Sequence, residues 1–436
     1  MQDIPIGLIG LGTVGGGVVS ILHNRIDTIR KEQGLPIRLS RIVDKNTARF
    51  AEVPVGDAIC STNIEDILND DSIKIVIELV GGTAFAKDLV LAALGRKKNV
   101  ITANKALLAE YGPQIFETAA KEGVSVYFEA AVGGGIPIIK TIREGLAANE
   151  ITTVKTIING TCNYILTKMS TKGGAFETVL KEAQAKGYAE ADPALDIGGG
   201  DTGHKTAIIA SLISRGYVPY GAIPIEGITA ISKEDIAFAR ELGYTIKLLG
   251  IIKRDASAAG DNQLDVRVHP TLLHKDHILA SVSDVYNAAL IEGDAVGRIL
   301  LYGRGAGELP TGSAVVSDII DVARNIDSKS AIRIPMGYYS TSHTVRIKPL
   351  DSIVSRYYLR FTVHDRPGVF ASIAGNLSNE GISLASVMQE EVFTGKGVPV
   401  ILLTHSTTEK NLRTALSLIE SMDYIKGKTQ VIRIED

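Results

Sequence analysis

Short apolar runs punctuate the first third of the chain at Ile4–Ile9, Arg38–Val43, Ile73–Val80, Asn99–Thr102 and Val124–Phe128, with stretches of helical periodicity between them. Runs this short and this apolar suit strands covered on both faces, so the alternation predicts a doubly wound parallel sheet. After Gly133-Gly134-Gly135 the texture changes. A helix is expected near 137–147, a strand near Ile151–Ile158, and helices over 173–186 and 202–215, which together read as an α+β domain. The cluster Gly303-Arg304-Gly305-Ala306-Gly307 breaks that pattern before a helix expected over 314–324. Such a loop suits a bound cofactor, with segment 305–325 packing back on the first domain. From Ser355 the predicted order is strand 355–363, helix 369–380, strands 383–391 and 399–404, helix 409–421 and strand 430–434. That βαββαβ order describes a small, separately folded sheet of ferredoxin-like type with both helices on one face.

Composition narrows the function classes. Hydrophobic residues make up 45% of the 436 and charged residues 22%, so the chain is globular and long enough for two or three domains. Its apolar runs are too short to span a bilayer, and Asp3 and Pro5 interrupt any secretion signal. No membrane association and a cytoplasmic location are therefore expected. Cys60 and Cys162 lack metal-ligand spacing and are expected to be free thiols. A net charge of −3, with no basic run longer than Arg96-Lys97-Lys98, leaves no footprint for nucleic acid.

The glycines point to a cofactor. Gly10-Leu11-Gly12-Thr13-Val14-Gly15 follows the first strand at once and leads into a helix. Gly10 makes the tight turn, Gly12 lets the backbone approach a pyrophosphate, and Gly15 lets helix and strand pack closely, the pattern of a Rossmann-type dinucleotide site. At the end of the second strand, Asp44 fits the ribose hydroxyl of NAD, while Lys45 or Arg49 can meet the extra phosphate of NADP. Both choices stay open.

Candidate chemistry lies at two further places. Thr102-Ala103-Asn104-Lys105 follows the fourth strand, at the carboxyl edge where open α/β sheets bind ligands. Gly187-Tyr188-Ala189-Glu190-Ala191-Asp192-Pro193 runs on to Asp196, Asp201 and Lys205. Asp201 and Lys205 are four apart and share a helix face, which allows either catalysis or a plain salt bridge. His204 titrates near neutrality but is turned about 100° away from Lys205, which disfavours it as the base.

Together these motifs, with Glu129-Ala130-Ala131-Val132-Gly133-Gly134-Gly135-Ile136-Pro137, Asn159-Gly160-Thr161-Cys162-Asn163-Tyr164 and Pro310-Thr311-Gly312-Ser313-Ala314-Val315, resemble the homoserine dehydrogenases. The C-terminal βαββαβ unit resembles an ACT domain, as in the longer, regulated form of that family. The resemblance spans essentially the whole chain. It implies NAD(P)-linked interconversion of L-homoserine and L-aspartate 4-semialdehyde, in threonine and methionine biosynthesis. It implies Lys205 as the proton-exchanging group, Lys105 beside it, and Glu190 and Asp201 as substrate-binding residues. Cofactor contacts are expected from Gly10, Gly12, Thr13, Val14, Gly15, Asp44, Lys45, Thr102, Lys105, Gly187 and Gly307. A sodium or potassium ion is expected on Glu129 and the backbone oxygens of Val132, Gly134 and Ile136.

The expected division is 1–130 for the dinucleotide, 131–304 for substrate binding and dimerisation, 326–354 as linker and 355–436 for regulation. The resemblance further implies a homodimer or homotetramer, assembled mainly around Ile151–Ile158, and threonine as effector. Exposed N–H groups after the turn 364–370 offer the effector's carboxylate a place. Two rival readings remain, another semialdehyde reductase and a nucleotide-sensing protein without turnover. The first wants a thiolate with a partner base, which neither cysteine offers in the sequence.

Overall fold

The computed structural model describes residues 3–254, 263–330, 345–389 and 397–436. Part of the expected linker, 331–344, and the last two residues of the strand expected over 383–391 lie outside the described residues.

The N-terminal unit runs β1 (Ile4–Ile9), α1 (Thr13–Gln33), β2 (Ile37–Val43), α2 (Arg49–Glu52), β3 (Ile59–Ser61), α3 (Glu65–Leu68) and β4 (Ile75–Glu78). It continues with α4 (Ala84–Gly95), β5 (Asn99–Thr102), α5 (Lys105–Glu122) and β6 (Val126–Tyr127). All six strands are parallel in the order β3-β2-β1-β4-β5-β6, the doubly wound sheet read from the sequence.

The second unit holds short α6 (Ile138–Lys140), β7 (Ile151–Ile157), α7 (Gly160–Lys172), α8 (Phe176–Ala185), α9 (Ala194–Ile197), α10 (Gly200–Ser214) and α11 (Lys233–Glu241). Strands β8 (Tyr244–Arg254), β9 (Gln263–His274), β10 (Tyr286–Gly293) and β11 (Gly297–Arg304) and helix α12 (Glu308–Asp327) follow. Where one helix was expected over 137–147, α6 passes instead into a π-helical turn, Thr141–Gly145.

Helix α12 returns to the first unit and packs along α1, placing Val315, Ile319 and Val322 in the same core as Leu8, Val18 and Leu22. The contact is close because it is made at glycines. A Cβ at Gly17 would lie 2.2 Å from the Glu308 carbonyl oxygen, and one at Gly312 would lie 2.9 Å from the Gly17 backbone.

The C-terminal unit contains β12 (Arg346–Ile347), β13 (Val354–Val363), α13 (Val369–Asn379), β14 (Leu384–Gln389), β15 (Val398–Thr404), β16 (Thr407–Thr408), α14 (Glu409–Glu420) and β17 (Gln430–Glu435). Its order matches the sequence reading, but the sheet is not a separate one. Strand β17 pairs in parallel with β9, so one sheet runs β11-β10-β7-β8-β9-β17-β13-β15-β14 across both units. Strand β7 is thus internal, between β10 and β8. The outer edge on that side is β11, where exposed Tyr302 stacks on Tyr286 with ring centroids 5.1 Å apart.

Buried charges seal the joint. Glu435 accepts from Lys155 at 3.0 Å, from Lys253 at 2.7 Å and from the fully buried Arg267. Burial works to raise the Glu435 carboxyl, but Lys253, Arg267 and Lys155 outweigh it and hold it at about 2. On the other face Arg360 of β13 bonds Asp235 at 2.7 Å, and Asp235 also closes the capping box of α11 with Ser232. The joint ties the C-terminal unit to the second unit through paired strands and buried charges.

Glu435→Gln leaves three cations facing a neutral group in a buried site, and the loss expected is about 3–5 kcal/mol, read by denaturant unfolding. The sign with pH is set by the lowered value. The Glu435 contribution is present above the unfolded carboxyl value and vanishes as pH falls toward about 2, so the difference between the two proteins should shrink on acidification.

Candidate functional site

The glycine loop between β1 and α1 is shaped by contact as well as by conformation. Gly10 has φ +103, and a Cβ there would sit 2.6 Å from the Leu79 carbonyl oxygen; a Cβ at Gly15 would sit 2.1 Å from the Gly10 oxygen. At Gly12 a Cβ would meet nothing, so bare backbone borders open space at the start of α1. That helix start carries no side-chain cap and no acidic residue in its first turn. Thr13 and Val14 open the helix, and the uncapped N–H groups fit a pyrophosphate. Asp44 is engaged behind the loop, its carboxylate accepting from the N–H groups of Leu11 and Asn46. Arg49 donates to the Leu11 carbonyl at 3.0 Å and pairs with Glu52. Lys45 is exposed, 5.4 Å from the centre of the Phe85 ring. Gly307, at φ +123, precedes α12 close to this loop.

Beneath the carboxyl ends of β4 and β5 lies a group that the sequence reading did not single out. Glu78 is fully buried; it accepts from the Thr102 hydroxyl at 2.5 Å and from the Val80 N–H at 2.9 Å. Burial pushes its carboxyl up to about 7, against both hydrogen bonds. Thr102 in turn accepts from the Asn104 N–H, and the Asn104 side chain caps α5 by accepting from Leu107. This chain of bonds fixes the turn that projects Lys105 from the first residue of α5.

Lys105 meets Asp201 across the two large units. Its ammonium lies 3.2 Å from one oxygen of Asp201, while Lys205 lies 2.7 Å from the other. Lys205 also donates to the Ile158 carbonyl at 2.7 Å. Asn159, the cap of α7, donates to Asp201 at 2.9 Å and to Asp196 at 2.8 Å. Burial opposes the ionised form of Asp201, yet Lys205 and Lys105 outweigh it and hold the carboxyl at about 2. The structure therefore brings Lys105, Asp201 and Lys205 together and adds Asn159 and Asp196 to them. Both additions stand in motifs visible in the sequence, but only the fold closes the distance.

Glu190 and Gly187 are placed differently. Both lie exposed between α8 and α9, and no hydrogen bond or ion pair joins the Glu190 carboxylate to Asp201 or Lys205. His204, buried against Tyr220 with ring centroids 4.2 Å apart, has its Nε2 4.0 Å from Glu110, and burial lowers its pKa. Cys60 and Cys162 are both free, and burial, together with Asp196 and Asp201, raises the Cys162 thiol well above its ordinary value.

Glu129 is buried where the two units meet, its oxygens accepting from the N–H groups of Ile139 at 2.9 Å and Lys140 at 2.8 Å. Burial, with Asp318 beside it, pushes its carboxyl up to about 8. Gly133 and Gly134, at φ +76 and +56, curl the following loop, and a Cβ at Gly134 would lie 2.4 Å from the Gly305 oxygen. Among the described residues no group of three or more His, Cys, Asp or Glu side chains suits a metal ion, and no helix is long and apolar enough to cross a membrane.

Residues 10–129 match the family model for the NAD-binding domain of homoserine dehydrogenase, residues 137–320 that for homoserine dehydrogenase, and residues 357–423 that for the ACT domain. The chain is 44% identical to a homoserine dehydrogenase of Neisseria gonorrhoeae, over all of this chain and 99% of that one. It is 42% identical to one from Synechocystis, over 99% and 100% of the two chains. The crystal structure of a homoserine dehydrogenase from Thiobacillus denitrificans superposes with a TM-score of 0.94 at 44% identity, covering 100% of this chain and 99% of that one.

A carboxyl raised by burial stabilises the fold only while protonated. Glu78 accordingly supports the fold at acid pH, and that support fades as pH rises from the unfolded value through about 7. Glu78→Gln should flatten the fall in melting temperature between pH 5 and 8, because every tenfold difference in proton affinity between folded and unfolded chains is worth about 1.4 kcal/mol. Parallel melting curves for the two proteins across that range would contradict the assignment.

Proposed function

This chain belongs to the homoserine dehydrogenase family, and on that premise we propose that Lys205 exchanges the proton with the substrate oxygen while Asp201, itself paired with Lys105, holds it in place. The enzyme interconverts L-homoserine and L-aspartate 4-semialdehyde with NAD(P), in threonine and methionine biosynthesis. The observation that carries the proposal is the bonding of Lys205: two of its three ammonium donors go to Ile158 and Asp201, which leaves one for the substrate. Bound NAD(P) supplies or accepts the hydride at the neighbouring carbon. In reduction Lys205 hands its free proton to the aldehyde oxygen as negative charge develops there; in oxidation it takes the proton from the alcohol. Lys105, on the edge of the dinucleotide unit, adds positive charge at the same place. Glu190 meets the substrate ammonium from the exposed turn, with Asp201 as the deeper carboxylate.

Gly10, Gly12, Thr13, Val14 and Gly15 hold the pyrophosphate, and Thr102, Lys105, Gly187 and Gly307 border the nicotinamide end. Asp44 is committed to the N–H groups of Leu11 and Asn46, which favours the exposed Lys45 meeting a 2′-phosphate, with Arg49 beside the loop, and hence NADP or dual use. The division of the chain at 1–130, 131–304, 326–354 and 355–436 is proposed on the same ground, with a homodimer or homotetramer as the working assembly. Threonine is proposed as the effector of the ACT unit.

A sodium or potassium ion fits beside Glu129. A buried carboxyl raised to about 8 gains its ionised form from a neighbouring cation, and the carbonyls of Val132, Gly134 and Ile136 supply the hard oxygens such an ion takes.

Lys205→Ala should lower homoserine-dependent NAD(P)H formation by about 10²–10⁴-fold while cofactor affinity changes little. Turnover near that of the unaltered enzyme across pH would reject the assignment. Glu129→Gln should blunt the dependence of rate on sodium or potassium, and titrations of rate against each salt test it.

A further inference from the structure

A cleft of about 730 Å³ opens where the catalytic and C-terminal units meet, between residues 226–231 and Pro270 on one side and α14 and β17 on the other. We propose that this cleft binds a free α-amino acid and that its occupancy acts on α10, the helix that carries Asp201 and Lys205. The inference rests on the reading of the C-terminal unit as regulatory, and it places the ligand away from the turn at 364–370.

The lining sets the chemistry of the ligand. Carboxylates of Glu226, Glu409 and Glu420 face cations of Arg413, Lys428 and Arg433. The two signs balance, so a ligand bearing both matches the cleft better than a simple anion or cation. Arg433 is already bound by Glu226 at 3.0 Å and by Glu409 at 2.7 Å. Glu226 is 46% exposed and Arg413 55% exposed, so each retains an open side, one for an ammonium and the other for a carboxylate. Ile231, Leu412 and Leu416 supply an apolar wall for a short side chain.

The cleft wall leans directly on the catalytic helix. Glu226 donates its N–H to the Val268 carbonyl at 2.8 Å, and Ile228 donates to Ile197 at 2.8 Å. A Cβ at Gly227 would lie 2.2 Å from the Ile197 oxygen, and one at Gly199 would lie 3.3 Å from the Glu226 oxygen. No slack remains between the loop and residues 197–199. Gly199, at φ +84, is the cap of α10. A ligand that repositions Glu226 against Arg433 must therefore push on the first turn of α10, where Asp201 sits. Unequal affinity for two positions of that turn is what would convert binding into a change of rate.

The test uses the full chain, with L-threonine, L-isoleucine, L-methionine and L-lysine as probes in calorimetry. At least one should bind, and Ser417→Trp, which fills the cleft from the exposed face of α14, should weaken binding by at least about tenfold. Arg413→Ala should weaken it by less but measurably, whereas Arg366→Ala at the turn should not. The rate response to the same amino acid should be lost in Ser417→Trp with basal turnover retained, and hydrogen exchange over 198–203 should change on binding. Undiminished binding in both cleft variants, or loss in Arg366→Ala alone, overturns the cleft and spares the regulatory reading. No binding of any of the four to the unaltered protein, with rates unmoved, overturns both.

Discussion

An ionised carboxylate cannot stay buried without cations, and the arrangement of the catalytic region follows from that constraint. Asp201 is 4% exposed yet ionised, because Lys205 from its own helix and Lys105 from the dinucleotide unit stand on its two oxygens. Lys205 alone balances the charge of Asp201, and its second oxygen gains Lys105 only where the two units meet. The same bonds fix where each ammonium points. Stability and catalytic alignment thus depend on one group, which is the sense in which a site is preorganised.

The glycines serve this closure from the other side. Helix α12 leaves the second unit and lies on α1 at a distance that only Gly17 and Gly312 permit. That return path places Gly307 near the cofactor loop and puts Asp318 behind Glu129, whose backbone N–H it accepts at 2.9 Å. A second buried carboxyl then stands at the hinge between units. Its raised pKa reflects burial without a full complement of cations, in contrast to Asp201.

The C-terminal unit is joined by similar physics in a different geometry. Strand β17 pairs in parallel with β9 and brings Glu435 to Lys155, Lys253 and Arg267, the last of which Asp265 also holds. The ACT unit is attached to the second unit by a shared sheet. The loop 226–228 beside that joint lies against residues 197–199, up to the cap of α10.

The chain order of elements was legible wherever apolar periodicity was strong: the parallel sheet, the glycine loop, and the βαββαβ succession after residue 355. The family was legible from ordered motifs. Helix α7 and strands β8–β11 were not anticipated, because their burial comes from packing against one another and leaves weak local periodicity. Strand β7 lies inside its sheet, between β10 and β8, since a strand's neighbours are chosen by pairing and not by its own residues. Lys105, Asp201 and Lys205 were visible as residue types at suggestive places, and the four-residue spacing of the last two on a helix was a local fact. The sequence alone could establish that these charges exist. Only the tertiary structure decided that Lys105 reaches Asp201, that Glu78 lies buried beside Thr102, and that Glu435 ties the ACT unit to the second unit. Each of those contacts joins residues far apart in the chain, and no local pattern encodes a distance across a fold.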